Sequence, residues 1–347
     1  MTSMIQDVKQ NAPQGAAQGG PQRRRYVLVS AAYNEEAFIE KTIQSIVVQT
    51  LPPLKWVIVS DGSTDGTDEI VRKYAAKYPF VELLRLEKDH KRNFAAQVHA
   101  INAGCEKLKS LDFDFLGNLD SDVVVPSEDY FERLIGKFEQ FPNLGLGGGF
   151  IHEEERGVFK SRGANTTRSV AHAVQLFRRG VFDEMGGAYV PLRYGGPDWC
   201  AEINVRMRGW QVESFPDLPV HHLRPTGGGT GRLRYWYQQG FMDYSLGSHP
   251  AFEIVKCLKR LPAKPYVIGA MARLTAFFLA YLRGEERAVS KEFMAFLRKD
   301  QMERLLQSAN APAAQRTQRP QPAGNQTKQP ADPNSKNSPA RDVPARP

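Results

Sequence analysis

The sequence predicts an α/β fold with a mainly parallel central sheet, followed by a helical extension. Short apolar runs suited to buried strands alternate with segments whose apolar residues recur at helical spacing. Strands separated by single helices require right-handed crossovers, which make neighbouring strands parallel. A chain of 347 residues, of which 41% are hydrophobic, is long enough for one large domain and an appendage.

The predicted strands and helices follow in order from residue 26. The apolar run YVLVSAA, from Tyr26 to Ala32, predicts a first buried strand. Apolar residues then recur at helical spacing over residues 36–49, and Pro52 and Pro53 end that helix. The same reasoning predicts strands at 55–60, 81–86 and 113–119, and helices at 67–78 and 93–108. Such sheets bind ligands at the carboxyl ends of their strands, so we expect functional residues just after each strand.

The chain ends and the overall composition narrow the class of protein. Residues 1–23 and 308–347 consist almost wholly of disorder-promoting residues, so we expect both segments to be disordered. The first segment lacks the apolar stretch of a signal peptide, and the three cysteines lack the spacing of a disulfide framework or a zinc site. These features favour a cytoplasmic protein. A net charge of +8 suits anionic partners such as diphosphates, lipid head groups or nucleic acid, without choosing between them.

Polar and acidic residues follow three of the predicted strands. They are Asn34-Glu35-Glu36, the run from Asp61 to Gly66, and Asp120-Ser121-Asp122. Each loop alone is explained by turns and helix caps, for which Asn, Asp, Ser and Gly are the preferred residues. Three such loops in register at the ends of parallel strands favour a binding site instead.

Asp120 and Asp122 alternate at the end of a predicted strand, so their carboxylates can reach the same cleft. Two neighbouring carboxylates repel each other unless a cation joins them. Oxygen ligands completed by substrate phosphates are typical of Mg²⁺ or Mn²⁺. The pair therefore indicates a divalent metal.

Together these motifs resemble those of the family 2 glycosyltransferases, which have the fold called GT-A. The resemblance runs from about Tyr26 to about His222 and rests on AAYNEEAFIEKTIQSIVVQT, VSDGSTDGT, KRNFAAQVHAINAG, LDSD, FRRGVFDEMGG and PDWCAEINVRMRGWQV, in that order. It implies a GT-A nucleotide-binding domain over residues 24–225, followed by a flexible lid and a helical extension over 226–307. It also implies transfer of a sugar, with inversion at the anomeric carbon, from a nucleotide-sugar.

The resemblance assigns roles to individual residues. It implies that the base and ribose of the nucleotide lie against Asn34, Glu36, Asp61 and Arg92. Asp120 and Asp122 form the DXD motif. Asp122 is expected to bind the metal directly, and Asp120 to contact the ribose or provide a second metal contact. The metal stabilises the negative charge that develops on the diphosphate leaving group.

The catalytic base is expected at the start of a helix, where the chain departs from the family pattern. The family usually has Glu-Asp there, whereas Pro197 precedes Asp198 in this sequence and Glu202 follows one helical turn later. We favour Asp198 as the base that accepts the proton of the acceptor hydroxyl, with Glu202 as the second candidate. Alternatively, Asp198 caps the helix and Glu202 pairs with Arg206.

A second group of candidates follows Pro219. Adjacent histidines on a strand point to opposite faces, so at most one of His221 and His222 is expected in the cleft, and the family context points to His222 as a metal ligand. A hydrogen-bonded structural histidine is the alternative. The glycine-rich run 226–231 predicts a mobile lid, beside which Arg224 can offer charge to the diphosphate.

The function expected from these motifs is glycosyl transfer, with UDP as the favoured nucleotide and a saccharide or lipid-linked acceptor in polysaccharide or glycoconjugate synthesis. A sugar-phosphate nucleotidyltransferase is disfavoured because AAYNEEA stands where a basic glycine-rich loop would hold a triphosphate. A catalytically silent nucleotide-sugar or saccharide-binding module remains the main alternative because of Pro197. No pattern of a nucleic-acid-binding module is found.

The apolar segment over residues 265–282 predicts a helix on the inner face of the cell membrane that does not span it. Arg273 near its centre disfavours insertion, since a central arginine costs about 2.5 to 3.5 kcal/mol. In the interfacial arrangement Arg273 would reach lipid head groups. The alternative is a helix buried against the catalytic domain.

Overall fold

The computed structural model describes residues 24–87, 94–224, 231–262 and 265–310. The expectations for residues 1–23, for Arg92, for most of the predicted lid and for the chain beyond 310 fall outside these ranges. By its contacts the chain divides after Glu303. The sheet and the first nine helices lie in the first unit, and only the last residues of the tenth helix are described in the second.

The described residues form nine strands and ten helices. The strands are β1 Tyr26–Ala32, β2 Lys55–Asp61, β3 Val81–Leu86, β4 Phe115–Leu119, β5 Val123–Val124, β6 Leu144–Glu155, β7 Val158–Ser161, β8 Val174–Arg178 and β9 Gln211–His222. The helices are α1 Ile39–Val47, α2 Thr67–Lys77, α3 Phe94–Leu108, α4 Tyr130–Gln140, α5 Arg179–Glu184, α6 Pro197–Met207, α7 Arg232–Ser245, α8 Pro250–Lys259, α9 Tyr266–Leu282 and α10 Lys291–Asn310. Each strand and helix predicted up to residue 119 is present, with shifts of a few residues at some ends.

The strands form one sheet in the order β3-β2-β1-β4-β8-β6-β9-β5, with β7 paired to β6. The first four are parallel, as predicted, and apolar residues on both faces of these strands are buried beneath helices. The second half of the sheet is mixed, since β8 runs antiparallel to both β4 and β6. No helix crosses the sheet between β6 and β8, so the chain returns in the opposite direction.

The long strands β6 and β9 run parallel and bring distant parts of the chain to one rim. Their close approach depends on small residues: a Cβ atom at Gly149 would lie 2.0 Å from the carbonyl oxygen of Leu218. The register places Glu153 beside His222. The same end of β9 pairs with the short strand β5, which follows Asp122 directly.

Helices α7 to α9 form the predicted helical extension, and α9 packs against α7 and α8. A Cβ atom at Gly240 of α7 would lie 2.2 Å from the carbonyl oxygen of Arg273. Arg273 is 2% exposed and pairs with Asp243 and Glu253, both of which are buried. The expectation that Arg273 reaches lipid head groups is therefore wrong, because two buried carboxylates hold the guanidinium inside the protein. None of the helices described is long and apolar enough to cross a membrane.

Candidate functional site

The loops after β1 and β2 are bonded to each other at the carboxyl end of the sheet. Asn34 has a φ of 55°, and its side-chain oxygen accepts a hydrogen bond from the backbone N–H of Thr64 at 2.8 Å. Glu36 accepts one from the N–H of Gly66 at 2.8 Å. Both side chains therefore stabilise the contact between the two loops. Asp61 is half-buried at the end of β2, and within the described chain its carboxylate makes no hydrogen bond or ion pair.

Asp120 and Asp122 follow β4, and each lies next to a different histidine. Oδ1 of Asp122 is 3.3 Å from Nε2 of His222, and Oδ1 of Asp120 is 3.5 Å from Nδ1 of His172. The side-chain amide of Gln97 also donates to Asp120, at 3.3 Å. Burial opposes the charged form of Asp120, but His172 and then His222 outweigh it and lower the pKa of this carboxyl. Asp120 is therefore held as an anion.

His222 lies between two carboxylates rather than in a purely structural setting. Its Nδ1 is 3.9 Å from Oε1 of Glu153, on the opposite side of the ring from Asp122. Burial disfavours the charged imidazole, yet the hydrogen bond and charge of Asp122, with Asp120 and Glu153, raise the pKa of His222. Its neighbour His221 instead stacks on Phe159 with ring centroids 3.9 Å apart. The expected division between the two histidines is present.

Arg224 closes the rim beyond β9. Its guanidinium pairs with Glu35, has Nε 3.7 Å from Oδ2 of Asp122, and lies 5.0 Å from the ring centroid of Phe38. Arg224 thus joins the loop after β1 to the DXD motif. A guanidinium in this position brings positive charge to the acidic rim, where a diphosphate is expected.

The start of α6 depends on two glycines. Gly195 and Gly196 have φ values of 89° and 87°, which residues other than glycine rarely adopt. Pro197 then begins the helix. Asp198 lies in the first turn, half-buried, and no side chain caps this helix. The alternative of Asp198 as the helix cap is therefore not found.

Asp198 belongs electrostatically to the same rim as the DXD motif. Burial opposes the charged form of His172, but its bond to Asp120 and the charges of Asp120 and Asp198 raise its pKa. Within the described ranges the carboxylate of Asp198 forms no hydrogen bond or ion pair. It is thus available to a ligand in this region.

Glu202 occupies a different environment one turn further along α6. It is 2% exposed, and its Oε1 accepts hydrogen bonds of 2.8 Å from the hydroxyl of Ser169 and from the N–H of Val170. Its Oε2 lies 3.5 Å from Arg206, the ion pair considered from the sequence. Burial raises the pKa of Glu202 to about 7. The geometry assigns this carboxyl to positioning the 169–170 segment rather than to contact with a substrate.

The pair formed by Asp122 and His222 suits a divalent cation with further ligands from elsewhere. Their facing oxygen and nitrogen atoms converge at 3.3 Å, and Nδ1 of His222 is buried without a hydrogen bond. Among the residues that the structure describes, no three His, Cys, Asp or Glu side chains lie close enough to form a complete metal site. A cation held by this pair would need further ligands from outside the described side chains.

The structure brings together most of the expected site residues at one rim: Asn34, Glu36, Asp61, Asp120, Asp122, Asp198 and His222 lie in the loops and strand ends that form it. Glu202 lies apart, and Arg92 falls outside the described residues. The sequence reasoning did not identify Glu35, Gln97 or His172, and it assigned no role to Glu153. Glu153 lies beside His222 because β6 pairs with β9, and this pairing joins segments that are far apart in the sequence.

The fold and the rim define a nucleotide-binding α/β domain with a two-residue candidate metal site. Residues 27–187 match the family model described as Glycosyl transferase family 2. This segment, which contains the DXD motif and the paired loops, is therefore similar to the family 2 glycosyltransferases.

Curated relatives carry the same class name. Glycosyltransferase AglE of Haloferax volcanii is 27% identical over 233 residues, which are 60% of this chain and 73% of that protein. The poly-beta-1,6-N-acetyl-D-glucosamine synthase of Staphylococcus aureus strain COL is 30% identical over 229 residues, 60% of this chain and 53% of that protein. Glycosyltransferase GlyA of Streptococcus pneumoniae is 25% identical over 138 residues, 39% of this chain and only 18% of that protein. The chain thus spans about half or less of some of these relatives.

Solved structures with a related shape include the mannosyltransferase PcManGT of Pyrobaculum calidifontis in complex with GDP-Man and Mn²⁺. It is 19% identical, with a TM-score of 0.49 over 81% of this chain and 80% of that one. Residues 1–349 of S. aureus TarS, in complex with UDP-GlcNAc, are 15% identical, with a TM-score of 0.48 over 82% and 81%.

Proposed function

We propose that the protein is an inverting, divalent-metal-dependent glycosyltransferase that moves a sugar from a UDP-sugar to a saccharide or lipid-linked acceptor. The observation that supports this most strongly is the convergence of three groups at one rim: the Asp122–His222 pair, the Asp120–His172 pair and Asp198. The similarity of residues 27–187 to family 2 supports the reaction class. The names of the curated relatives favour polysaccharide or glycoconjugate synthesis as the process.

In the proposed mechanism the rim binds the donor by its nucleotide and diphosphate. The base and ribose would lie against Asp61, Asp120 and the loop after β1 that contains Asn34 and Glu36. Asp122 and His222 would hold the cation, which supplies positive charge for the diphosphate leaving group when it is bound. Arg224 would add a second positive charge beside the same phosphates.

The acceptor side of the mechanism is assigned to Asp198. The acceptor oxygen attacks the anomeric carbon, the bond from that carbon to the diphosphate oxygen breaks, and the nucleoside diphosphate leaves. Asp198 takes the proton of the acceptor hydroxyl, since its carboxylate has no partner in the described chain and its charge acts on His172 at the same rim. A single displacement with one base inverts the configuration.

We propose that the protein acts in the cytoplasm, at the inner face of the cell membrane. The acceptor class is proposed as a growing saccharide or one carried by lipid.

The test of the proposed function is donor hydrolysis, because slow hydrolysis needs no known acceptor. UDP-, GDP- and dTDP-sugars are each incubated with the purified protein and Mn²⁺ or Mg²⁺, and release of the nucleoside diphosphate is measured. We expect release from UDP-sugars that chelator stops. Binding of a nucleotide-sugar without release from any of the three classes would favour a catalytically silent module.

A further inference from the structure

Helix α9 is apolar on the side that faces away from the protein as well as on the side that is buried. Gly269, Ala270, Ala276, Phe277 and Ala280 form the inner side together with Arg273. The buried pairs of Arg273 with Asp243 and Glu253 fix the rotation of the helix about its own axis. The outer side is therefore a defined surface.

The outer surface is an apolar stripe with one polar residue within it. Val267, Ile268, Met271, Phe278 and Leu282 are exposed to 51, 63, 61, 39 and 85%, respectively. Their spacing follows helical turns along a helix of 17 residues, about 25 Å long, and only Thr275 adds a polar group between them. We call these five residues the outer α9 face. A helix that is apolar all round is normally covered on both sides.

The residues around the outer α9 face carry positive charge. On α8, Ile254 and Leu258 are 40% and 56% exposed, and the exposed Lys259 ends that helix shortly before α9 begins. The exposed Arg283 follows the other end of α9 directly. The half-buried Glu285 and the exposed Glu286 follow within three residues, so the C-terminal end also carries two acidic groups. The pattern is an apolar strip with a cation next to each end.

We propose that the outer α9 face, with Ile254, Leu258, Lys259 and Arg283, is a docking surface for a bilayer that contains anionic lipid. An apolar helix face enters the acyl boundary of a bilayer, while lysine and arginine beside it lie in the head-group layer. This differs from the arrangement expected from the sequence, because Arg273 faces inward and the cations at the two ends meet the lipid.

A second copy of the chain fits this surface less well. In a two-fold dimer the two α9 helices run either antiparallel or parallel across the contact. The antiparallel arrangement brings Lys259 near Arg283 of the other copy, and the parallel arrangement brings each cation near its own equivalent. Like charges at both ends oppose either pairing, whereas an anionic bilayer attracts them.

The proposal deepens the proposed function and rests on it only for the acceptor, since docking would bring the rim to lipid-linked saccharides. Lipid binding itself needs neither donor nor metal. A failure to bind lipid and a failure to transfer sugar are therefore measured separately.

The experiment is co-sedimentation of the full chain with vesicles, either of phosphatidylcholine alone or with phosphatidylglycerol added, at low and high salt. We expect binding only with phosphatidylglycerol, and weaker binding as salt rises. The double variant Ile268→Glu/Met271→Glu should lose binding. Lys259→Gln/Arg283→Gln should weaken it about tenfold or more, since each cation near an anionic surface adds about 1 kcal/mol of attraction.

The control is Val48→Glu, which places one such glutamate at an apolar residue that is 52% exposed at the end of α1. It should bind vesicles as the wild type does. The outer-face variants should have the circular dichroism spectrum and the donor hydrolysis rate of the wild type. The substituted side chains are exposed, and they are far from the rim residues in the sequence.

Three results would overturn the proposal. One is full recovery of the wild type in the supernatant with anionic vesicles at low salt. Another is sedimentation of the Ile268→Glu/Met271→Glu variant equal to that of Val48→Glu. The third is a wild type that does not bind vesicles but is a dimer in light scattering, with the same double variant monomeric. That result would assign the surface to a second copy.

Discussion

Nε2 of His222 lies 3.3 Å from Oδ1 of Asp122, although 100 positions of sequence separate the two residues. The strand pair β5–β9 produces this contact, since Val123 pairs with His222 directly after Asp122. The sheet therefore brings the two candidate metal ligands together from a loop and a strand end. Its consequences for metal and nucleotide binding can be measured without knowing the acceptor.

Asp122→Ala should abolish the Mn²⁺-dependent part of UDP binding while leaving the fold intact, because it removes the carboxylate that faces His222. Isothermal titration of UDP with and without Mn²⁺ measures this part directly. The control is Glu154→Gln, which removes the charge of an exposed acid that neighbours Glu153 but forms no ion pair with His222 in the described chain. Equal metal dependence of UDP binding in Asp122→Ala and the wild type would show that Asp122 does not bind the metal.

Asp198→Asn should lower the rate of the chemical step about a hundredfold or more, the scale of a lost general base, with little change in donor affinity. Single-turnover transfer measures the step once an acceptor is found. Glu202→Gln, one turn along the same helix, is the matched comparison and should cost less. A larger loss in Glu202→Gln than in Asp198→Asn would move the base to Glu202.

The stability of the protein should depend on the ionisation of Glu202. In the folded state this carboxyl holds its proton up to about pH 7, whereas in the unfolded chain its pKa is near 4.5. Between these values the folded state binds more protons, so the contribution of Glu202 to the free energy of unfolding falls as pH rises, by about 3 kcal/mol in total as an order of magnitude.

Glu202→Gln cannot ionise and should lose this part of the pH dependence. Urea unfolding of both proteins at pH 5 and pH 8 measures the difference, and other titrating groups cancel in the comparison. The same change in the free energy of unfolding with pH in both proteins would show that Glu202 is ionised in the fold at both pH values.

Arg273→Met should destabilise the protein by about 3 to 5 kcal/mol, because it leaves two buried carboxylates, Asp243 and Glu253, beside a single cation, Lys256. Adding Glu253→Gln to Arg273→Met should restore part of the loss, since Lys256 then faces one carboxylate. Thermal unfolding monitored by circular dichroism compares the three proteins. A melting temperature of Arg273→Met equal to that of the wild type would contradict the buried network.

Much of the sheet and part of the site could be predicted from the sequence because the signals are local. The period of apolar residues located β1 to β4 and the helices between them, and the positions after those strands located Asp61, Asp120 and Asp122. Alternation along a strand also separated His222 from His221.

The remaining features depend on contacts between distant segments. Nothing near His172 indicates that it meets Asp120, because the contact arises from the antiparallel pairing of β8 with β4. The burial of Glu202 depends on the segment at Ser169 and Val170, which is far away in the chain. Arg273 points inward because it pairs with two carboxylates on other helices. The hydropathy of α9 alone does not predict this direction.

Metal-dependent transfer is measured by the release of UDP from a UDP-sugar as a function of Mn²⁺ concentration, in the wild type and in Asp122→Ala. We expect release by the wild type that rises to saturation with Mn²⁺ and stops on addition of chelator, and none above background in Asp122→Ala. Release by the wild type that is indifferent to Mn²⁺ and chelator, or equal release by the variant, would contradict a metal-dependent glycosyltransferase.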